Sequence, residues 1–568
     1  MRDVLRERGA PGARMTSSQI WGPLEILVGL AVSVLLIAVR VAAFQSAGAL
    51  WRDEVFSVDM ASFPSVFDTV WRDSFPILWQ LVLRCWIALG LGQSDSALRS
   101  IGLLCGILQV AAIWWSGRQF GARVPWAMLV LLGCNAQVIV FGDEVRGYGL
   151  GLLTQILMIA AAWRVVQDPN WKRLVVFQIV ALLAVQSSFT NAFMLLAACV
   201  GGGFVCCRRR NYKTLLGLLL VGLISAGSLV PYAVYVFPHH DAWAFTIRQD
   251  FPWKLHLSFF WDAISAGGPA ATWTYVIGAG LALTAGIVVL LRGNGSAEQQ
   301  AKADLGWFLV GNLVVGSLGF WWYIRFLKVF TAVWYYLPYV ALLSICIELG
   351  VDVWAQAKIE RQVTRTGVAL LLFATMFQST WSNTAYRLTN IDLIAQSVEK
   401  NASADDLVIV FPWYVGMSFQ RYYHGAAPWM NFPDVGSGGA PGAYNGYLEI
   451  KENYMPRADP LRRELDRMEQ TLRNGHRLWL VGGLRFLPPG TPPHVLAPAP
   501  DPQLGWSYLG YEFSWAEQAA AFVQSKGNSI RQIPVQEPVG TRVNGAEHTI
   551  LLVVEGTPNL RSDVSEER

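Results

Sequence analysis

Two pairs of adjacent carboxylates stand just beyond long apolar runs, Asp53–Glu54 after the first run and Asp143–Glu144 between the third and fourth. A carboxylate at that depth loses part of its hydration, which is unfavourable unless a partner or a task compensates. Loop acids commonly cap helices or join a charged belt. Two adjacent pairs, both at the ends of apolar runs and each followed by aromatic or small residues, point instead to chemistry at headgroup level. A carboxylate there can take the proton from a hydroxyl as its oxygen attacks carbon, while cations or a divalent metal stabilise a departing phosphate. Arg146 and the Arg325/Lys328 pair abut the ends of apolar runs and are the candidate phosphate contacts. Arg52, Arg72, Arg84, Arg99, Arg248 and Lys254 share that side, and most are expected to face headgroups over snorkelling stems.

The elements that must position these groups are membrane helices. Of 568 residues, 53% are hydrophobic and 15% charged, with a mean hydropathy of +0.36. Soluble cores do not grow to that size, so most of the chain belongs in a bilayer. The net charge of +4 argues against a nucleic-acid partner. All seven cysteines (Cys85, Cys105, Cys134, Cys199, Cys206, Cys207 and Cys346) lie in apolar stretches, which excludes a disulfide framework and shows no metal-ligand spacing. The segment 1–21 carries Arg2, Arg6, Arg8 and Arg14 with no cleavage pattern after the apolar run, so a retained first helix is expected.

Windows of roughly 17–25 apolar residues give about eleven expected spans. They lie at 22–44, 97–116, 125–141, 147–165, 174–190, 191–207, 214–236, 273–291, 305–322, 331–349 and 367–384. With this count every basic cluster falls on the side of the N-terminus. These are Arg118 and Arg123, Lys172 and Arg173, Arg208–Arg210 with Lys213, Arg292 with Lys302, and Lys358, Arg361 and Arg365. The short apolar stretch 77–91 is interrupted by Gln80 and Arg84 and is expected to lie at the interface rather than span.

A long first outer loop over 45–96, a transmembrane region over 22–384 and an outer α/β domain over 385–558 follow, with a charged disordered tail at 559–568. The outer domain is read from alternating runs at 407–412, 477–481 and 549–554, with a helix over 460–474 before the second. His239–His240–Asp241 resembles a metal triplet. However, adjacent histidines in an extended segment diverge and no third ligand has metal spacing, so a surface loop contacting an acceptor is expected. No internal repeat is evident.

The stretch Trp51–Ala61 (WRDEVFSVDMA) resembles the first-loop aspartate–glutamate motif of GT-C-fold polyprenyl-phosphate-sugar glycosyltransferases, the bacterial relatives of protein O-mannosyltransferases and of the lipid A aminoarabinose transferase. Asp73–Trp79, with a single proline at Pro76, is similar to that family's Pro-Pro-Leu-Tyr stretch. Ala97–Arg99 and Gly117–Gly121 stand at the expected places, and Asp143–Leu150 looks like its Glu-x-Arg-x-Tyr-x-Leu signature. Beyond residue 150 the likeness is of topology, with Trp334–Pro338 and Ser403–Tyr423 as local matches. Trp334 stands where many relatives have an arginine, so the phosphate contact of that motif would pass to Arg325 or Lys328.

The resemblance implies Asp53 as general base with Glu54 supporting it. It implies that Asp143 and Glu144 orient the acceptor or the base, and that Arg146 and Tyr148 hold the loop or the donor, with Arg72 and Asp73 in supporting places. Some members require a divalent metal, Mg or Mn, and others none. The expected activity is inverting transfer of a sugar, a hexosyl or pentosyl group, from a polyprenyl-phosphate donor to a hydroxyl of a lipid, glycan or protein acceptor at the outer face of the cytoplasmic membrane. A transporter or flippase of lipid-linked sugars is the alternative and would expect mid-membrane acids and repeat symmetry. An inactive envelope scaffold is a third reading.

Overall fold

The structure is a computed structural model, described here for residues 17–70, 72–234, 251–291, 296–328, 330–355, 359–436, 443–488, 490–538, 542–545 and 547–556. The His239–Asp241 triplet and the 559–568 tail lie outside the described residues. The chain is a polytopic α-helical membrane protein carrying a C-terminal α/β domain. Among the described residues, eight helices are long and apolar enough to cross a bilayer.

Each of the eleven expected spans holds helix, but those at 125–141, 174–190 and 367–384 fall outside the eight that are long and apolar enough to cross. The first is α1 (Ser17–Ser46), followed after α2 (Arg52–Ala61) and α3 (Leu78–Trp86) by α4 (Asp95–Phe120). Next come α5 (Trp126–Gly133), α6 (Ala136–Gly142), α7 (Tyr148–Gln167), α8 (Trp171–Ser187), α9 (Asn191–Arg208) and α10 (Tyr212–Gly227). Beyond α11 (Trp253–Ser265) lie α12 (Pro269–Leu291), α13 (Ala297–Leu327), α14 (Leu337–Ala355) and α15 (Ile359–Thr384). The apolar helical stretch Leu78–Leu91 is too short to cross, as its interruption by Gln80 and Arg84 led us to expect.

The third expected span is not one helix. It breaks into α5 and α6 at Cys134–Asn135, where the Asn135 side chain accepts from the Val138 N–H at 3.1 Å and donates to the Ala263 carbonyl at 2.8 Å. A side-chain cap competes with the backbone ladder at that point and starts a new helix. The carbonyl of Cys134 is in turn taken by the Thr380 hydroxyl at 2.6 Å, so the broken backbone is satisfied inside protein.

The bundle has two distinct polar ends. At one end Glu25 of α1 accepts from Arg365 of α15 at 2.8 Å and from the Trp126 indole at 3.2 Å, while Arg365 also reaches Asp352 of α14 at 3.0 Å. Glu348 accepts from the backbone N–H groups of Ala127 and Met128, which open α5. At the other end stand α2, the α6–α7 turn and the C-terminal domain.

That domain is built on a five-stranded sheet in the order β3-β2-β4-β7-β5. β2 (Leu407–Val410), β3 (Trp429–Asn431) and β4 (Leu478–Val481) run parallel; β7 (Leu551–Glu555) is antiparallel to β4 and to β5 (Ser529–Gln532). β1 (Tyr386–Arg387) and β6 (Arg542–Val543) form a separate parallel pair. Side chains of β2 alternate between two cores, as a sheet covered on both faces requires. Val408 and Val410 pack with α16 (Ile391–Asn401) and α17 (Val415–Tyr422). Beyond the short α18 (Ala443–Glu449), Leu407 and Ile409 pack with α19 (Arg462–Arg473) and α20 (Tyr508–Lys526).

Candidate active site

The N-terminus of α2 carries Asp53 and is tied from three directions. Glu54, fully buried, accepts from the backbone N–H of Trp51 at 3.3 Å and of Val145 at 2.9 Å, which joins the first outer loop to the α6–α7 turn. Arg99 of α4 donates its Nε to Glu54 at 2.9 Å and its terminal nitrogens to the carbonyls of Gly48 and Ala49 at 2.7 and 2.9 Å. The Trp51 indole donates to Glu144 at 2.8 Å. The two carboxylate pairs are therefore neighbours, but their members do different things.

Asp143 is buried against Arg40 of α1, and Arg40 also reaches Gln109 of α4 at 3.2 Å. Burial pushes the Asp143 carboxyl up to about 7, with Arg40 opposing the rise. Glu144 is pushed well up by burial and by the charges of Glu54 and Asp53, with Arg146 and the Trp51 indole opposing the rise. The turn fits only because α4 presents glycine there. A Cβ on Gly102 would run into the Asp143 carbonyl, and one on Gly106 into the Asp143 carboxylate and Arg40.

Of the four, Asp53 lines the cavity shared with the C-terminal domain, whereas Asp143 borders a separate, much smaller one. The space, about 570 Å³, lies between the start of α2, the start of α7, the segment 330–335 and the C-terminal domain. Two guanidiniums share it. Arg52 comes within 3.5 Å of Asp53 and stacks on the Tyr414 ring at 4.6 Å. Arg146 donates to Ser57 and Ser74 at 3.1 Å each and lies 5.1 Å from the Phe75 ring centre. Arg146 also feels Asp53 and Asp73, whose charges hold its guanidinium firmly protonated against the effect of burial. Asp73 itself accepts from Gln80 at 2.8 Å and from the Phe75 N–H at 3.1 Å. Tyr148 lines the cavity and meets Phe75 edge-on at 4.7 Å.

The other cations expected to meet phosphate lie elsewhere. Arg325 is half-buried near the end of α13, within electrostatic reach of His256, and Lys328 is exposed; neither lines the cavity. Arg72 sits over the Phe63 ring at 5.0 Å. Trp334 lines the cavity and packs against Trp51 and Phe141 at 5.6 and 4.7 Å between ring centres. Sequence reasoning placed Arg52 only among headgroup-facing cations. Its signal was adjacency to Asp53, one residue before the carboxylate.

One side of the cavity is apolar, with Phe251, Phe259, Phe330, Ala332 and Val333; the other is the C-terminal domain, with Tyr414, Tyr447, Tyr508 and Glu512. Among the described residues, no three His, Cys, Asp or Glu side chains gather as metal ligands. The Arg52 guanidinium lies 3.5 Å from Asp53, a setting that can receive an anion.

No protein-family model and no curated protein matches the sequence. Solved structures do. ArnT from Cupriavidus metallidurans in the apo state is 12% identical, with 95% of this chain and 99% of that chain covered and a TM-score of 0.48. The archaeal oligosaccharyltransferase AglB from Archaeoglobus fulgidus, in complex with an inhibitory peptide and a dolichol-phosphate, is 12% identical over 90% of this chain and 80% of that one, at a TM-score of 0.46. Arabinosyltransferase EmbB from Mycobacterium smegmatis is 14% identical over 62% of this chain, at a TM-score of 0.37. This chain spans 32% of EmbB.

Proposed function

We propose that the protein is an inverting glycosyltransferase that moves a sugar from a polyprenyl-phosphate donor to an acceptor hydroxyl at the outer face of the cytoplasmic membrane. The observation that carries this reading is Asp53 set beside Arg52 and Arg146 in a cavity with one apolar wall and one polar wall. A lipid-linked sugar has the same division. Its chain would lie along the wall of Phe251, Phe259 and Phe330, and its phosphate against the guanidiniums, which suit phosphate in both charge and shape.

The step balances on these groups. The acceptor oxygen forms a bond to C1 of the sugar and gives its proton to the Asp53 carboxylate. The bond from C1 to the phosphate oxygen breaks, and the electron pair leaves with the phosphate, stabilised by Arg52 and Arg146. One base opposite one leaving group gives inversion at C1. Glu54 and Asp143, each paired with an arginine, hold the loop in place, and Glu144 anchors Trp51 through its indole. The basic clusters would keep the Glu25–Arg365 end in the cytoplasm and the C-terminal domain outside.

The test is transfer of radiolabelled sugar by membranes carrying the wild type or Asp53→Asn. A loss of roughly 10²–10⁴ in rate is expected for the base. Equal transfer by both removes Asp53 from the mechanism. A flippase would translocate labelled lipid without transferring its sugar, and an inactive scaffold would do neither.

A further inference from the structure

The glycosyl-transfer step leaves one buried acid of the cavity unused. Glu512, on the first turns of α20, is 6% exposed and faces Asp53's cavity from the opposite domain. A carboxylate without water needs partners. The hydroxyls of Tyr508 and Tyr414 and the charge of Arg52 lie within electrostatic reach of it. Tyr508 in turn accepts from the Trp413 indole at 2.8 Å. Tyr447 completes the wall, edge-on to Trp413 at 5.0 Å and to Tyr508 at 5.6 Å, and within electrostatic reach of Arg52, Glu512 and Asp53 together.

The place of this wall in the domain is an independent observation. After β2 the chain crosses to β3 on one side of it, and from β3 it returns to β4 on the other. The order therefore reverses between β2 and β4, and in open α/β sheets the crevice outside the carboxyl ends of such strands is where ligands bind. Trp413 and Tyr414 follow directly on that end of β2.

We propose that this crevice, walled by Tyr414, Tyr447, Tyr508 and Glu512, is a sugar-binding subsite contributed by the C-terminal domain. The chemistry selects the ligand class. Tyrosine faces accept the C–H side of a ring, while the two tyrosine hydroxyls leave part of the carboxylate's roughly four acceptor positions for hydroxyls on the ring's rim. An anion would be repelled by Glu512, and a purely apolar group would leave it without solvent. The inference rests on the transferase reading for which sugar enters, donor's or acceptor's, but not for whether a sugar enters.

The experiment is therefore a binding measurement first. Saturation-transfer NMR is recorded on the full-length protein in detergent with methyl glycosides of glucose, galactose, mannose and arabinose. Saturation of at least one sugar is expected for the wild type, with at least a five-fold loss in Glu512→Gln and in Tyr447→Ala, both checked for an unchanged chromatographic profile. Absence of binding by every sugar, or wild-type binding by both wall variants, overturns the subsite. Sugar binding without any transfer by the wild type overturns the transferase reading and leaves the subsite standing. In transfer assays, Glu512→Gln raising KM for the lipid-linked donor assigns the subsite to the donor's sugar, and raising it for the acceptor assigns it to the acceptor. An unchanged KM for both overturns the subsite.

Discussion

Glu547, close to the last strand of the C-terminal domain, accepts the backbone N–H of Arg52 at 2.9 Å, across 495 positions of sequence. The helix that carries Asp53 is thus capped by a carboxylate from another domain, with Tyr422 holding the preceding Leu50 N–H at 2.7 Å. The first N–H groups of a helix have no partner within it, and a side-chain acceptor there contributes about 1 kcal/mol. Glu547→Ala is expected to lower kcat of transfer about ten-fold with KM unchanged, because Asp53 loses its fixed position. Glu547→Gln keeps an acceptor oxygen and is expected to restore most of the rate. Steady-state kinetics on the two variants checks this.

Glu54 and Arg99 form a buried pair of the kind that holds a loop rather than reacts. Removing one partner leaves an uncompensated charge, at about 3–5 kcal/mol. Arg99→Ala is therefore expected to lower the thermal midpoint markedly, followed by loss of the solubilised fraction on heating. If Arg99→Ala leaves the midpoint unchanged, the pair is not a structural tie.

The guanidiniums predict how phosphate is handled. Arg146→Lys retains the charge and loses the planar fork, so it is expected to slow transfer at least ten-fold. Chelation with EDTA is expected to leave the rate unchanged, because the charges around Asp53 are cationic already. A rate restored only by added Mg or Mn would contradict this.

Stability should depend on pH through Glu512. Burial raises its carboxyl from 4.5 to about 7. The folded protein then binds that proton more tightly than the unfolded chain, so stability falls as pH rises through this range and is flat above it. The loss is on the order of 3 kcal/mol for the group. Glu512→Gln cannot ionise, so its thermal midpoint should exceed that of the wild type at pH 8 by more than at pH 5. Parallel midpoints at the two pH values would show that the carboxyl does not titrate there.

Hydropathy made the bundle legible because a bilayer imposes length and apolarity on every span. It hid the break at Asn135, since a continuous apolar run looks the same whether or not one polar side chain turns back on the backbone. The motif around Asp53 was visible as adjacent acids after an apolar run. The separation of their roles was not, because Arg40 and Arg99 reach them from other helices. The tyrosine wall was hidden most completely. Tyr414, Tyr447 and Tyr508 are spread over nearly a hundred residues and meet only when the parallel strands fold.

The cluster of Glu25, Glu348, Asp352 and Arg365 joins α1 to the last helix of the membrane bundle, α15. During synthesis Glu25 enters the membrane more than three hundred residues before Arg365 exists. The bundle can be locked only by the arrival of α15, so a chain ending before Arg365 would lack the guanidinium that Glu25 and Asp352 share and should be degraded rather than accumulate.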